Sequence, residues 1–223
     1  MDFHRQLDIV NPDKLAAQQV TLVGAGGIGS PTALLLAKLG VQNLTVYDPD
    51  VIEEHNLPNQ MYRLGDLGRP KVEALAEVCQ QFAGLTIHAI QEEFPLTGTP
   101  QGTVIVTVDS MAVRSVVWEA MKYQPRLQHL LDARMGAEEG RLYTLRPNDP
   151  DHVDRYEKTL YSDGESLELP CTARAIGYNT AFLASLIASQ VQKLVVGRPV
   201  HPTVVFDLVS LIMLTPNQPE VMT

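Results

Sequence analysis

Four glycines in the stretch LVGAGGIGS, Leu22 to Ser30, stand where an apolar run gives way to a helical one. Gly24, Gly26, Gly27 and Gly29 let the backbone approach a ligand closely, and the amides that follow can face an anion, as at phosphate-binding helix N-termini. Asp48 closes the next strand, where a carboxylate can bond a ribose hydroxyl. Two chemistries fit these residues: redox reactions of a bound nicotinamide or flavin dinucleotide, and consumption of a nucleoside triphosphate. Cys171, in ELPCTARAI, lies beside Arg174 and a helix start. Its thiolate would be favoured there and could act as a nucleophile; the other reading is a small buried hydrophobe. Cys79 falls on the apolar face of a helical pattern and reads as core.

The elements that must hold these residues alternate. Strand-like runs occupy 19–24, 43–48, 85–90, 103–109, 127–133 and 141–146, with a last one spanning TVVFDLVSLIML, 203–214. Helical patterns fall at 28–39, after Pro70 (Val72, Leu75, Ala76, Cys79 and Phe82 inward), at 111–124 (Val113, Val116, Val117 and Met121) and over 173–196. The last of these puts Ile176, Leu183, Leu186, Ile187, Val191 and Leu194 on one face. Alternating strands and helices with nearly continuous apolar strands predict an α/β fold. Its sheet is doubly wound and mostly parallel, with helices on both faces and a C-terminal helix–strand extension. Ligands then belong at the carboxyl ends of the strands. Residues 147–170 are polar, acidic and rich in turn formers, and read as a mobile crossover loop; the tail from Thr215 reads as loose. No internal repeat interrupts 1–223, which is read as one domain.

Composition narrows the partners. Lys and Arg number 17 against 26 Asp and Glu, a net charge of -9, so the overall field repels a nucleic-acid backbone. No apolar run approaches the roughly 18 residues of a membrane span, and the start MDFHRQLD lacks a secretory pattern, so the expected location is cytoplasmic. Two cysteines do not make a disulfide framework or a four-cysteine zinc site.

From Asp48 onward the chain reads DPDVIEEHNLPNQMYRLGDLGRPKVEAL. With the glycine loop before it, this resembles the adenylyltransferases that activate ubiquitin-like and sulfur-carrier proteins, among them ubiquitin-activating enzymes and the thiamine- and molybdopterin-biosynthesis activators. Their pattern runs G-x-G-G-[LI]-G, D-x-D-x-V, N-L-x-R-Q, D-[IL]-G-x-x-K and an Asp closing a later strand. This chain supplies Gly24 to Gly29, Asp48, Asp50, Val51, Asn56, Leu57, Gln60, Arg63, Asp66, Gly68, Lys71 and Asp109 in that order. The resemblance covers about 5–146 well and 172–213 more loosely. It implies a Rossmann-like fold, ATP and Mg²⁺, nucleotide contacts from Gly24, Gly26, Gly27, Gly29, Asp48, Asp50, Asn56, Gln60 and Lys71, and Mg²⁺ on Asp109. Lys71 can meet the phosphates as a cation, the alternative being a solvated surface lysine, and Asp109 could instead cap a helix. Arg5 matches an arginine that reaches the phosphates of the partner subunit, and Arg63 matches a second arginine of the pattern. Cys171 lies in PCTAR, which resembles the segment around the catalytic cysteine of several ubiquitin-activating enzymes.

One position departs from the pattern: Asn59 replaces the arginine of N-L-x-R-Q, removing a cation from the place where phosphate charge develops. The resemblance implies ATP-dependent adenylation of the C-terminal carboxylate of a small carrier protein ending in Gly-Gly, with pyrophosphate released and thioester formation on Cys171 as a following step. It further implies a homodimer and, without paired C-x-x-C segments, no structural zinc. Three alternatives stay open: a non-catalytic nucleotide-binding partner or scaffold, favoured by Asn59; an adenylating dehydratase of a tRNA base; and an NAD-dependent oxidoreductase.

Overall fold

Strand residues take alternate sides of the sheet, and each side finds its own helices. The computed structural model describes residues 1–97, 100–161 and 175–222. In β1 (Gln19–Val23), Leu22 packs into one apolar cluster and Val23 into another; in β4 (Gly102–Val106), Ile105 joins the first and Val104 and Val106 the second. The first cluster draws in α1 (Pro12–Ala16), α2 (Gly29–Leu39), α3 (Lys71–Ala83) and α6 (Gly177–Val196) through Leu15, Leu36, Val72, Leu75, Leu183 and Ile187. The second is closed by α4 (Met111–Met121) and α5 (Pro150–Glu157) through Val117, Trp118, Met121, Val153 and Tyr156. A period of two in the strands thus buries both faces. Cys79 is wholly buried, and burial pushes its thiol up to about 12.

With β2 (Asn43–Tyr47), β3 (His88–Ile90), β5 (Leu127–Gly136), β6 (Glu139–Leu145), β7 (Thr203–Asp207) and β8 (Ile212–Leu214), the eight strands form one sheet in the order β3-β2-β1-β4-β5-β6-β7-β8. The first five run parallel, and β5 to β8 continue as an antiparallel meander. Strand order reverses between β1 and β4, which pair directly. A crevice at such a switch point, outside the carboxyl ends of the strands, is where open α/β sheets bind ligands.

Several sequence expectations are corrected. The run 203–214 is two strands, not one: Asp207 Oδ1 accepts the amides of Val209 (2.7 Å) and Ser210 (3.2 Å), and Leu211 turns the chain with φ +57°. Residues 150–157, within the expected crossover loop, are α5. Asp149 caps that helix by accepting the amides of Asp151 and His152, Pro150 opens it, and His152, Val153 and Tyr156 are buried. The tail is anchored, with Glu220 bridging Val200 and Met222 buried in the first cluster. Phe82, Val113, Val116 and Ile176 are exposed. In α4 the buried stripe instead runs through Met111, Arg114, Val117, Trp118 and Met121.

Candidate nucleotide site

The glycine loop crosses the switch point as tightly as backbone allows. A Cβ on Gly29 would stand 2.0 Å from the Gly24 carbonyl oxygen, and Gly24 itself has φ +98° with Thr107 against it. These two glycines let β1 turn into α2 beside β4. Thr107 seals the junction, its hydroxyl within 3.0 Å of the Val23 carbonyl and 2.9 Å of the Gly24 carbonyl. Gly26 is different: the nearest atom to an added Cβ is Gln60 Nε2 at 3.9 Å. Its surroundings are open, and among the described residues no hydrogen-bond acceptor is recorded for the amides of Gly26, Gly27 or Ile28. That leaves donors and the positive end of α2 facing the crevice.

Asp48, at the end of β2, is 6% exposed. Its Oδ2 accepts the Ala25 amide at 2.6 Å and its Oδ1 the Asp50 amide at 2.9 Å, so it clamps the glycine loop while each oxygen keeps a second lone pair. Burial raises its pKa, opposed by the Ala25 amide and by Lys71. A short antiparallel contact between Val51 and Pro70 brings the start of α3 back beside this strand end. Lys71 is 7% exposed as a result, not a solvated surface lysine. Its Nζ donates to Asp50 Oδ2 at 2.7 Å and lies 4.0 Å from Asp48 Oδ1.

The 56–62 segment roofs the loop. Asn56 is buried and its Oδ1 accepts the Glu53 amide. Ser30 Oγ accepts the Met61 amide, and the buried Tyr62 hydroxyl donates to the Ala25 carbonyl at 2.6 Å. Burial raises the Tyr62 pKa, with the Asp48 charge adding to it. Thr180 of α6 donates to the Asn59 carbonyl and packs against Gly27. Here two buried acceptors, Asn59 Oδ1 and Gln60 Oε1, have no partner among the described residues. Buried polar atoms ordinarily find one, and orphans beside open amides mark where a ligand's donors or water would sit.

Other expected residues are placed separately. Arg63 is committed to Asp66 through two bonds and to Glu77 and Gln81 of α3. With Arg69 it forms a network that closes residues 63–69 onto α3, holding Glu77 down to about 2 and Asp66 below its usual value. The structure does not bring Arg63 together with Lys71. Arg5 is exposed, in a 3-10 turn at His4–Gln6. Asp109 is exposed beyond the carboxyl end of β4 and does not cap α4, since Ser110 accepts the Val113 amide in that role. Cys171 and Arg174 lie outside the described residues.

Tyr62, Thr107 and Thr180 carry no motif, and only their neighbours in space reveal them. A buried Arg114–Asp132–Arg134 cluster behind β4 left a faint signal, charges inside the apolar runs MAVRSVVW and HLLDAR.

The pattern of the ThiF family matches residues 4–219. The SAMP-activating enzyme E1 of Haloferax volcanii is 42% identical over 77 residues, 33% of this chain and 28% of that protein. The adenylyltransferase and sulfurtransferase UBA4 of Yarrowia lipolytica is 41% identical over 63 residues, 28% of this chain and 16% of that one. The matched segments are therefore under a third of the relatives' own lengths. Among solved structures, E. coli MccB with ATP superposes with a TM-score of 0.72 at 17% identity, over 95% of this chain and 65% of that one. PaaA gives 0.70 at 19%, over 95% and 66%. These show the fold. With the family pattern covering nearly the whole chain, the protein belongs to the ThiF family.

Proposed function

We propose that this protein uses ATP to adenylate the C-terminal carboxylate of a small ubiquitin-like or sulfur-carrier protein. The observation that carries the reading is the convergence at one sheet edge of open Gly26–Ile28 amides, the clamped Asp48 and a buried Lys71 held between two carboxylates. The names of the relatives, a SAMP-activating E1 and adenylyltransferases, support it. A carboxylate oxygen of the carrier would attack the α-phosphorus of ATP, forming the acyl adenylate as the bond to the β-phosphate oxygen breaks and pyrophosphate leaves. The amides at the start of α2 would hold phosphate oxygens. Lys71 would offset charge as it moves onto pyrophosphate, and Asp48 and Asp50 keep that ammonium pointed inward.

Arg63 is spent elsewhere and Asn59 is neutral, so Lys71 works beside Asp48 and Asp50, two carboxylates to one ammonium. Bound Mg²⁺ would supply the missing positive charge on the phosphates, with Asp109 as its protein carboxylate. A hard cation of this kind would complete its coordination with phosphate oxygens and water. In a homodimer, Arg5 of the partner subunit would add a further cation, and the carrier's tail would run along the carboxyl edge of the sheet. Asn59 supports a second reading, a homologue that binds nucleotide without turnover.

ATP with Mg²⁺ should raise the melting temperature while NAD does not, because a ligand bound only to the folded state stabilises it. Tighter binding of NAD in calorimetry would overturn the reading. The thioester step is tested apart from adenylation. Cys171→Ala should still exchange pyrophosphate but form no reductant-labile conjugate, and a conjugate that persists would remove Cys171 from the mechanism.

A further inference from the structure

Behind the carboxyl end of β4 lies a charged cluster that the proposed chemistry does not use. Asp132 of β5 is fully buried. Its Oδ1 accepts Arg114 Nε at 2.6 Å, and its Oδ2 accepts Arg134 Nε at 2.7 Å and the Tyr156 hydroxyl at 3.0 Å. Arg114 spends its Nη2 on two carbonyls, Val108 at 2.6 Å and Ala133 at 3.3 Å. Arg134 turns the other way, donating to the carbonyl and hydroxyl of Thr159 and stacking on Tyr143.

Apolar residues of similar volume often pack such a place at no loss of stability, so the reason to keep two arginines on one carboxylate is sought in what their geometry fixes. The Val108 carbonyl belongs to the peptide that joins Val108 to Asp109. A planar guanidinium seated on Asp132 and on that oxygen sets the plane of this peptide, and the peptide plane sets the direction in which the Asp109 side chain leaves the backbone. No helix cap restrains Asp109, because Ser110 holds that role.

We infer that Arg114 is a positioning residue for Asp109, aiming its carboxylate into the crevice through the Val108 carbonyl. The inference rests on Asp109 being the Mg²⁺ carboxylate of the proposed function. Arg134 provides the control, since it shares Asp132, with its side chain 10% exposed against 4% for Arg114, but has no bond to the Val108 carbonyl.

The test is a Mg²⁺ titration of the ATP-dependent rise in melting temperature of the full chain. Arg114→Lys should raise the Mg²⁺ needed for half of the rise by about tenfold, the scale of outer-sphere effects on metal affinity. Arg134→Lys should lower the ligand-free melting temperature yet leave the Mg²⁺ midpoint where it was. Arg114→Gln gives a second reading should the lysine variant fail to fold. An unmoved midpoint in the Arg114 variants, or an equal shift in Arg134→Lys, overturns the positioning role while Asp109→Asn still shifts the midpoint. If Asp109→Asn leaves the midpoint unmoved, the assignment of Asp109 as metal carboxylate fails first, and the role of Arg114 falls with it.

Discussion

Glycines of one motif do different work here, and an added methyl group separates them. Gly29 has no room for a Cβ, with the Gly24 carbonyl oxygen 2.0 Å from where it would stand. Gly29→Ala should therefore cost about 1–3 kcal/mol through forced backbone movement, read as a lower urea midpoint. Gly26 meets nothing closer than 3.9 Å, so Gly26→Ala should keep stability within about 0.5 kcal/mol. The methyl would instead stand where the proposed function brings phosphate, and the ATP-dependent rise in melting temperature should largely vanish. The opposite pattern, with Gly26→Ala unfolding and Gly29→Ala binding normally, would refute this division. The motif spacing made the glycines, Asp48 and Lys71 legible in the sequence. It could not reveal that Arg63 is consumed by Asp66 and Glu77, because those ion pairs depend on how residues 63–69 fold back on α3.

At the scale of elements, the strands are legible where turn residues bound an apolar run, and they merge where the turn lacks them. The β7–β8 turn is built by Asp207 and by Leu211 in the left-handed region, with no glycine or proline to signal it. Leu211 is 83% exposed, so its side chain gains little to offset that conformation. Leu211→Asn should raise stability by about 1 kcal/mol, since asparagine tolerates the left-handed region better. A lower urea midpoint would show that Leu211 contributes packing the turn depends on. The face of α4 escapes its sequence for another reason: valines at 113 and 116 suit a core, but the buried Arg114 and Trp118 define the inward stripe, and a buried arginine is intelligible only with Asp132 across from it. Helix α5 hid in a polar stretch, although Asn148, Asp149 and Pro150 form a helix-start signal.

Across the whole molecule, a parallel half with a switch point and an antiparallel extension form one sheet, and the glycine loop, Lys71 and Asp109 all stem from the parallel half. The net charge of -9 opposes the approach of any polyanion, so the proposed function leans on Mg²⁺ and the few local cations. Whether that site turns over is decided most directly by ATP–pyrophosphate exchange, measured with Mg²⁺ against small carrier proteins ending in Gly-Gly and the same proteins lacking those two residues. The account predicts exchange that requires both Mg²⁺ and the intact tail. ATP binding without exchange for any carrier, or exchange indifferent to the tail, would contradict it.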